Sequence, residues 1–363
     1  MTGITPEVRA LMRPSAAALE PYDPAFSPVD VILSANENNY GIPPEVAPVL
    51  AKAVTEAAWN RYPVPLGGEL RNQLAAWHGV APEQVIVGNG GDELLFNLFL
   101  AFGGAGHALV SCPPTFSVYG LYASMVETPV VEVPREKDFA PNVDALVEAA
   151  RTATLVVVTS PNNPTGDLFP REGVRRLCEA CPGIVLVDEA YIEFADPGST
   201  VEDMLGEYQN LAVLHTFSKA FALAGARVGY VLASPAVVAA LAAVRQPYSV
   251  SVLDQAAALA AVTHRDAFQP AIQAIRQDRS RLSNMLGGLA PLDVRVWPSQ
   301  ANFLCVRVPH AHEVWCRLRD EHSILVRDFS STPGLEDCLR ITVGKPEEND
   351  LLVAALKSIL KGE

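Results

Sequence analysis

Residues 211–229 read LAVLHTFSKAFALAGARVG. The apolar run Leu211-Ala212-Val213-Leu214 predicts a buried strand. Lys219 follows its end, with two hydroxyls, Thr216 and Ser218, just before it and Arg227 eight residues beyond. A lysine becomes a nucleophile towards an aldehyde when burial or neighbouring positive charge lowers its pKa, and a strand end inside a cleft provides both. The hydroxyls and the guanidinium are suitable ligands for a phosphate dianion on the same molecule. A lysine after a strand is otherwise a solvated surface residue, so support must come from the rest of the chain.

That rest is sized for a large core. At 363 residues, with 49% hydrophobic and 19% charged residues, the chain reads as a compact soluble protein. Its formal charge of −14 argues against a nucleic-acid or anionic-membrane partner, so any anion must be captured locally. No apolar run approaches the roughly 20 residues a bilayer span needs, and the amino terminus lacks a continuous apolar signal core. The expectation is a cytoplasmic protein. Of six cysteines, only Cys178 and Cys181 are closely spaced; they fall on a predicted helix without a matching ligand pair, so packing thiols are expected and no metal site is.

From Gln84 onward short apolar runs alternate with amphipathic segments: 85–87, 108–110, 130–133, 155–158, 184–187, 211–214 and 228–232. Near-continuous apolar strands separated by helices predict an α/β fold with a mostly parallel sheet covered on both faces. Before it lie a proline-rich arm, a predicted helix over 43–58 and a second helix starting near Glu69. After it come a long helical region and then mixed strands and helices, which predict a smaller α+β domain. The expected division is 1–42 for an arm shared with the small domain, 43–245 for the large domain and 246–363 for the small one.

Ligands of such sheets bind outside the carboxyl ends of the strands. There the chain places GNGGDE after Val87, SCPPTF after Val110, TSPNNPTG after Val158, DEAY after Val187 and HTFSK after Leu214. Five polar loops at strand ends point to one cleft and a bound small molecule. GNGGDE opens a helix whose first N–H groups, near Gly91 and Asp92, suit an anion. Phe116 could stack on a flat ring. Asp188 ends the most apolar strand; buried there it needs a cationic partner or a proton, and a protonated pyridine nitrogen would suit it. Asn163 and Tyr191 can donate hydrogen bonds to a phenolate oxygen on the same ring. Bland alternatives exist: Asp188 could cap a helix and Asn163 could make an Asx-turn.

SPNNPTG, DEAY and SKAFALAGARVG resemble the pyridoxal-phosphate-dependent aminotransferases of fold type I. With LEPYDP, ANENNYG, NRYP, GNGGDE, CPPTF, ILVRDFSSTPG and CLRITVG, the chain is similar, in order from about Leu19 to Glu348, to the histidinol-phosphate aminotransferase family. The resemblance implies that Lys219 carries pyridoxal 5′-phosphate and moves the proton between Cα and C4′. It implies that Asp188 pairs with the ring nitrogen and that Asn163 and Tyr191 hold the ring oxygen. Phe116 would stack on the ring. Gly91, Asp92, Thr216, Ser218 and Arg227 would bind the cofactor phosphate, with Tyr62 reaching it from a neighbouring subunit, so a homodimer with shared active sites is expected.

On the substrate side the resemblance points to Arg327 and Arg340, with Tyr22, Asn36 and Asn302. Histidinol phosphate has no carboxylate and 2-oxoglutarate has two, so one site must accept phosphate and carboxylate in turn, which the planar fork of arginine does. Asn39, Gly91, Phe116 and Lys345 depart from the family's usual proline, serine or alanine, tyrosine and threonine. The Gly91 and Phe116 changes leave backbone donors and a stacking ring in place. The rival readings are an aromatic amino-acid aminotransferase, which would use Arg340 on a carboxylate, a threonine-phosphate decarboxylase, and a cofactor-bound protein without turnover.

Overall fold

A computed structural model of the chain describes residues 4–19 and 27–362. Its strands are β1 (Val31–Leu33), β2 (Val85–Asn89), β3 (Leu109–Ser111), β4 (Val130–Glu132), β5 (Leu155–Thr159), β6 (Ile184–Asp188), β7 (Leu211–Thr216), β8 (Val228–Ala233), β9 (Arg295–Val296), β10 (Phe303–Arg307), β11 (Ile324–Asp328) and β12 (Cys338–Thr342). Every apolar run read from the sequence between 85 and 232 is a strand. Seven of them form one sheet in the order β2-β8-β7-β6-β5-β3-β4, in which β8 alone runs antiparallel to its neighbours.

The composition of β7 explains why this sheet lies inside. All six of its residues are buried. Alternate side chains enter different cores: Ala212 and Leu214 pack with Leu94, Leu98 and Leu241 on one face, Leu211 and Val213 with Leu70, Leu74 and Phe217 on the other. Burying each large apolar side chain contributes roughly 1.5–3 kcal/mol, and a strand wet on either face would forfeit half of that gain.

The second sheet has the order β1-β11-β12-β10-β9. β1 comes from the N-terminal segment and pairs in parallel with β11, Val31 opposite Ile324; the other pairs are antiparallel. Immediately after β1, residues 34–38 cross to the large sheet. Asn36, at φ +56°, bonds Thr342 on β12, and Asn38 donates to the Ala220 carbonyl beside Lys219 at 3.0 Å. This crossing ties the small sheet to the lysine loop.

Two expectations shift in detail. The helix expected over 43–58 spans Ala47–Glu56, because the two prolines at its start leave a turn at 44–46. The helix Val252–Thr263, expected with the small domain, packs on the helices Ala47–Glu56 and Gly68–His78.

Candidate active site

All five polar loops reach one cavity of about 460 Å³. Its wall includes Gly91 and Asp92 after β2, Thr115 and Phe116 after β3, Thr159 and Asn163 at the end of β5, Asp188 and Tyr191 at the end of β6, and Thr216, Ser218 and Lys219 at the end of β7. The small domain closes it with Arg327, Phe329 and Arg340, and the crossing segment with residues 34–37.

One end of the cavity is built for an anion. The helix Gly90–Phe102 opens there, directing its first N–H groups and the positive end of its dipole into the space. Arg227 stands beside it in the left-handed region, φ +50°, donating to Asp92 at 2.9 Å and to Ser218 Oγ at 3.4 Å. The approach depends on glycine: a Cβ on Gly229 would lie 2.7 Å from the Gly91 nitrogen, and one on Gly90 2.6 Å from an Arg227 guanidinium nitrogen. Any side chain at 229 would push the helix start off β8.

The floor is a buried carboxylate. Asp188 is 4% exposed and accepts two hydrogen bonds from neutral donors, the Tyr119 hydroxyl at 2.6 Å and the Ala190 N–H at 3.1 Å. Burial pushes Asp188 up to about 6, against the pull of those two bonds. A cationic ring nitrogen placed opposite would satisfy it. Tyr191 is held from behind: its hydroxyl accepts from Asn36 Nδ2 at 3.0 Å, and its ring meets Phe303 edge-on at 5.0 Å between centroids. Asn163 accepts from Arg340 at 2.7 Å through its side-chain oxygen. Phe116 lines the cavity with its ring perpendicular to that of Tyr119, centroids 5.6 Å apart.

Lys219 donates to the Ala35 carbonyl at 2.8 Å. Burial, then the neighbouring Arg340 and Arg227 guanidinium groups, pull its ammonium down to about 8, with Glu37 and Asp92 opposing. An amine so placed is partly neutral near physiological pH, the state in which it attacks a carbonyl.

The other end carries two arginines. Arg327 and Arg340 face each other directly across the β11/β12 ladder, and both line the cavity. Arg340 is buried, bonded to Asn163 and to the Ser34 carbonyl, with its guanidinium carbon 5.5 Å from the Phe303 ring centroid. Like charges directly opposite on a ladder repel, and an anion between them removes the cost. Two further residues expected on the substrate side, Asn36 and Asn302, have different places. Asn36 is in the wall, whereas Asn302 is fully buried behind it and donates to the Asn36 carbonyl at 3.0 Å. Asn302 therefore shapes the site through Asn36 and does not line the cavity itself. Tyr22 lies outside the described residues. Tyr62 is 80% exposed, away from the cavity, stacked on Tyr248 at 4.6 Å between centroids.

Sequence reasoning missed Tyr119, Glu37, Phe329 and the Thr115–Thr159 hydroxyl pair, although all but Tyr119 lie within motifs it singles out. It also missed a buried network behind β7. His215, pointing away from the cavity between Leu214 and Thr216, lies 3.0 Å from Glu202, whose other oxygen is 2.7 Å from His78. Glu189, next to Asp188, accepts from Thr200 Oγ1 at 2.6 Å and the Val201 N–H at 2.8 Å. The Glu189 bonds anchor the end of β6 from the side opposite the cavity.

An anion pocket at a helix start, a buried carboxylate and a softened lysine at the carboxyl end of a parallel sheet define a pyridoxal-phosphate-dependent aminotransferase of fold type I. Residues 29–356 match the family described as aminotransferase class I and II. The chain is 40% identical over 346 residues to the histidinol-phosphate aminotransferase of Thermococcus gammatolerans, covering 95% of this chain and 96% of that one. Against the one from Thermoanaerobacter sp. the figures are 37% over 355 residues, 97% and 99%. Its fold is similar to the crystal structure of histidinol-phosphate aminotransferase from Sinorhizobium meliloti in complex with pyridoxal-5′-phosphate, with TM-score 0.88 and 28% identity over 97% of this chain and 98% of that one. The chain belongs to the class I and II aminotransferases, and within them to the histidinol-phosphate aminotransferase family.

Proposed function

We propose that the enzyme moves the amino group of L-histidinol phosphate to 2-oxoglutarate, giving 3-(imidazol-4-yl)-2-oxopropyl phosphate and L-glutamate, a step of histidine biosynthesis. The observation that carries this reading is the presence of two separate anion sites in one cavity. The helix start with Thr216, Ser218 and Arg227 suits the cofactor phosphate. The pair Arg327 and Arg340 is then left for the phosphate of one substrate and a carboxylate of the other. The relatives carrying that name support the same substrate.

The residues present fit the cofactor. Thr216, Ser218, Arg227 and the N–H groups at Gly91 and Asp92 would bind its phosphate. Phe116 would cover one face of the ring, and Asp188 would hold the proton on the ring nitrogen. Asn163 and Tyr191 would donate to the ring oxygen: the Asn163 carbonyl is taken by Arg340 and the Tyr191 oxygen already accepts from Asn36, so an amide N–H and a phenol O–H remain to donate. Bound pyridoxal phosphate supplies an electron sink for the bond broken at the substrate Cα. Lys219, the one amine among the described residues of the cavity wall, would carry the cofactor and serve as the base that takes the proton from the substrate Cα. The two substrates use the same site alternately, so the reaction proceeds as two half-reactions.

The reading includes a homodimer in the cytoplasm. Exposed Tyr62, with Trp59, Val64 and Tyr248, supports a second copy covering this face and presenting its own Tyr62 to the cofactor phosphate. Free thiols at all six cysteines and the absence of any described helix long and apolar enough to cross a membrane are consistent with that compartment. The test is turnover of the purified holoenzyme with histidinol phosphate and 2-oxoglutarate. One glutamate formed per histidinol phosphate consumed, without carbon dioxide, is expected. Faster turnover with phenylalanine would move the protein to the aromatic aminotransferases, and carbon dioxide release from phosphothreonine to the decarboxylases.

A further inference from the structure

The Asp188 carboxylate and the Phe116 ring come from different strand ends, yet one side chain touches both. Tyr119, on the helix Val118–Met125, is 1% exposed. Its hydroxyl donates to Asp188 Oδ2 at 2.6 Å and lies 2.8 Å from Thr159 Oγ1, which can donate to it. Thr159 is itself the ladder partner of Asp188 at the ends of β5 and β6, and its hydroxyl is 3.2 Å from that of Thr115, which donates to Asn162. The ring of Tyr119 backs that of Phe116 edge-on, interplanar angle 90°. We infer that Tyr119 is a positioning residue that fixes the Asp188 carboxylate and the Phe116 ring relative to each other, and so sets the slot in which the cofactor ring is held.

The chemistry follows from what Tyr119 gives Asp188. A hydrogen bond donated to a carboxylate favours its charged form, and the charged form is the one that retains a proton on a ring nitrogen. Asp188 is otherwise faced by Asp92 from the helix Gly90–Phe102, which disfavours the charge, by Lys219 after β7, which favours it, and by Tyr191. Ala190 N–H is its second donor. Tyr119 is thus the strongest donor to the floor of the site, and it acts through Asp188 and Phe116 without reaching a substrate.

The inference rests on the reading of Asp188 as partner of the ring nitrogen, and a parallel variant keeps the two separable. Tyr119→Phe removes the hydroxyl and keeps the ring. In the holoenzyme its acid limb of kcat, and of the cofactor absorbance against pH, should move up by about one unit, the effect of roughly tenfold weaker stabilisation of the charged carboxylate. Cofactor release on dilution should accelerate at least fivefold, while KM for histidinol phosphate changes less than twofold. A Tyr119 that only fills space would leave the pH profile in place, and that result overturns the inference. Should Tyr119→Phe not fold, Thr159→Val, which removes the donor to the Tyr119 oxygen, should move the acid limb the same way by a few-fold in proton affinity; an unmoved limb overturns the inference equally. Asp188→Asn separates the levels: if it keeps wild-type cofactor release and activity, the reading of Asp188 fails, whereas an impaired Asp188→Asn beside an unaltered Tyr119→Phe defeats only the role of Tyr119.

Discussion

Replacing Arg327 by glutamine should discriminate between the two substrates of the proposed reaction. Arg327 is opposite Arg340 on the β11/β12 ladder, where side chains directly across from each other have Cβ atoms about 5 Å apart, close enough for one oxyanion to take both guanidinium groups. A charge-assisted hydrogen bond is worth about 1.5–3 kcal/mol, and a two-point contact with a phosphate dianion places the loss near 3 kcal/mol. At 1.4 kcal/mol per factor of ten, kcat/KM for histidinol phosphate should fall on the order of a hundredfold. The distal carboxylate of 2-oxoglutarate carries half the charge, and Coulomb energy scales with it, so its loss should be closer to tenfold. Stopped-flow absorbance of each half-reaction measures the two constants separately, and Arg327 is only half-buried, so the melting temperature should change by no more than a few degrees. Equal losses for both substrates would refute phosphate recognition by this pair and favour an enzyme selective for carboxylates.

Three further outcomes are expected. Capture of pyridoxal phosphate by the cofactor-free enzyme requires neutral Lys219, so its rate should rise with pH to a midpoint near the value of about 8 that the site imposes; a rate still climbing towards pH 10 would contradict that depressed value. Lys219→Ala should fold, bind the cofactor without a covalent link and lose turnover, which mass spectrometry after borohydride treatment and a steady-state assay check together. Mixing Lys219→Ala with an impaired Tyr62→Ala under subunit exchange should restore activity to about a quarter of wild type, because one hybrid site in each mixed dimer keeps both residues; no recovery in verified mixed dimers would argue against a shared site.

The sequence shows the large sheet plainly because its strands are buried on both faces and their polar loops all fall at one end. β6 and β7 are apolar almost throughout, and DEAY and HTFSK break the pattern where the cavity begins. The small sheet was less legible. β1 is three residues long, and its partner β11 is nearly the whole chain away, a pairing that no local periodicity encodes. Within the site, charged or catalytic residue types announced themselves, and the residues that hold them did not. Tyr119 sits three positions beyond Phe116 on an apolar helix, where a tyrosine reads as core; only its approach to Asp188 gives it a role. Asn302 is a residue whose motif suggests a ligand contact and whose place is legible only in the structure: it is fully buried beside β10, bonded to Asn36. Tyr62 is legible only as a rigidly presented aromatic, because its proposed partner belongs to another copy of the chain.

The most direct test of the central claim is a half-reaction followed by absorbance: enzyme loaded with pyridoxal phosphate, mixed separately with histidinol phosphate, glutamate and phenylalanine. Rapid conversion to the pyridoxamine form with histidinol phosphate and glutamate, and slow conversion with phenylalanine, is predicted. Fast conversion with phenylalanine and little with histidinol phosphate, or no conversion with any of the three, would contradict it.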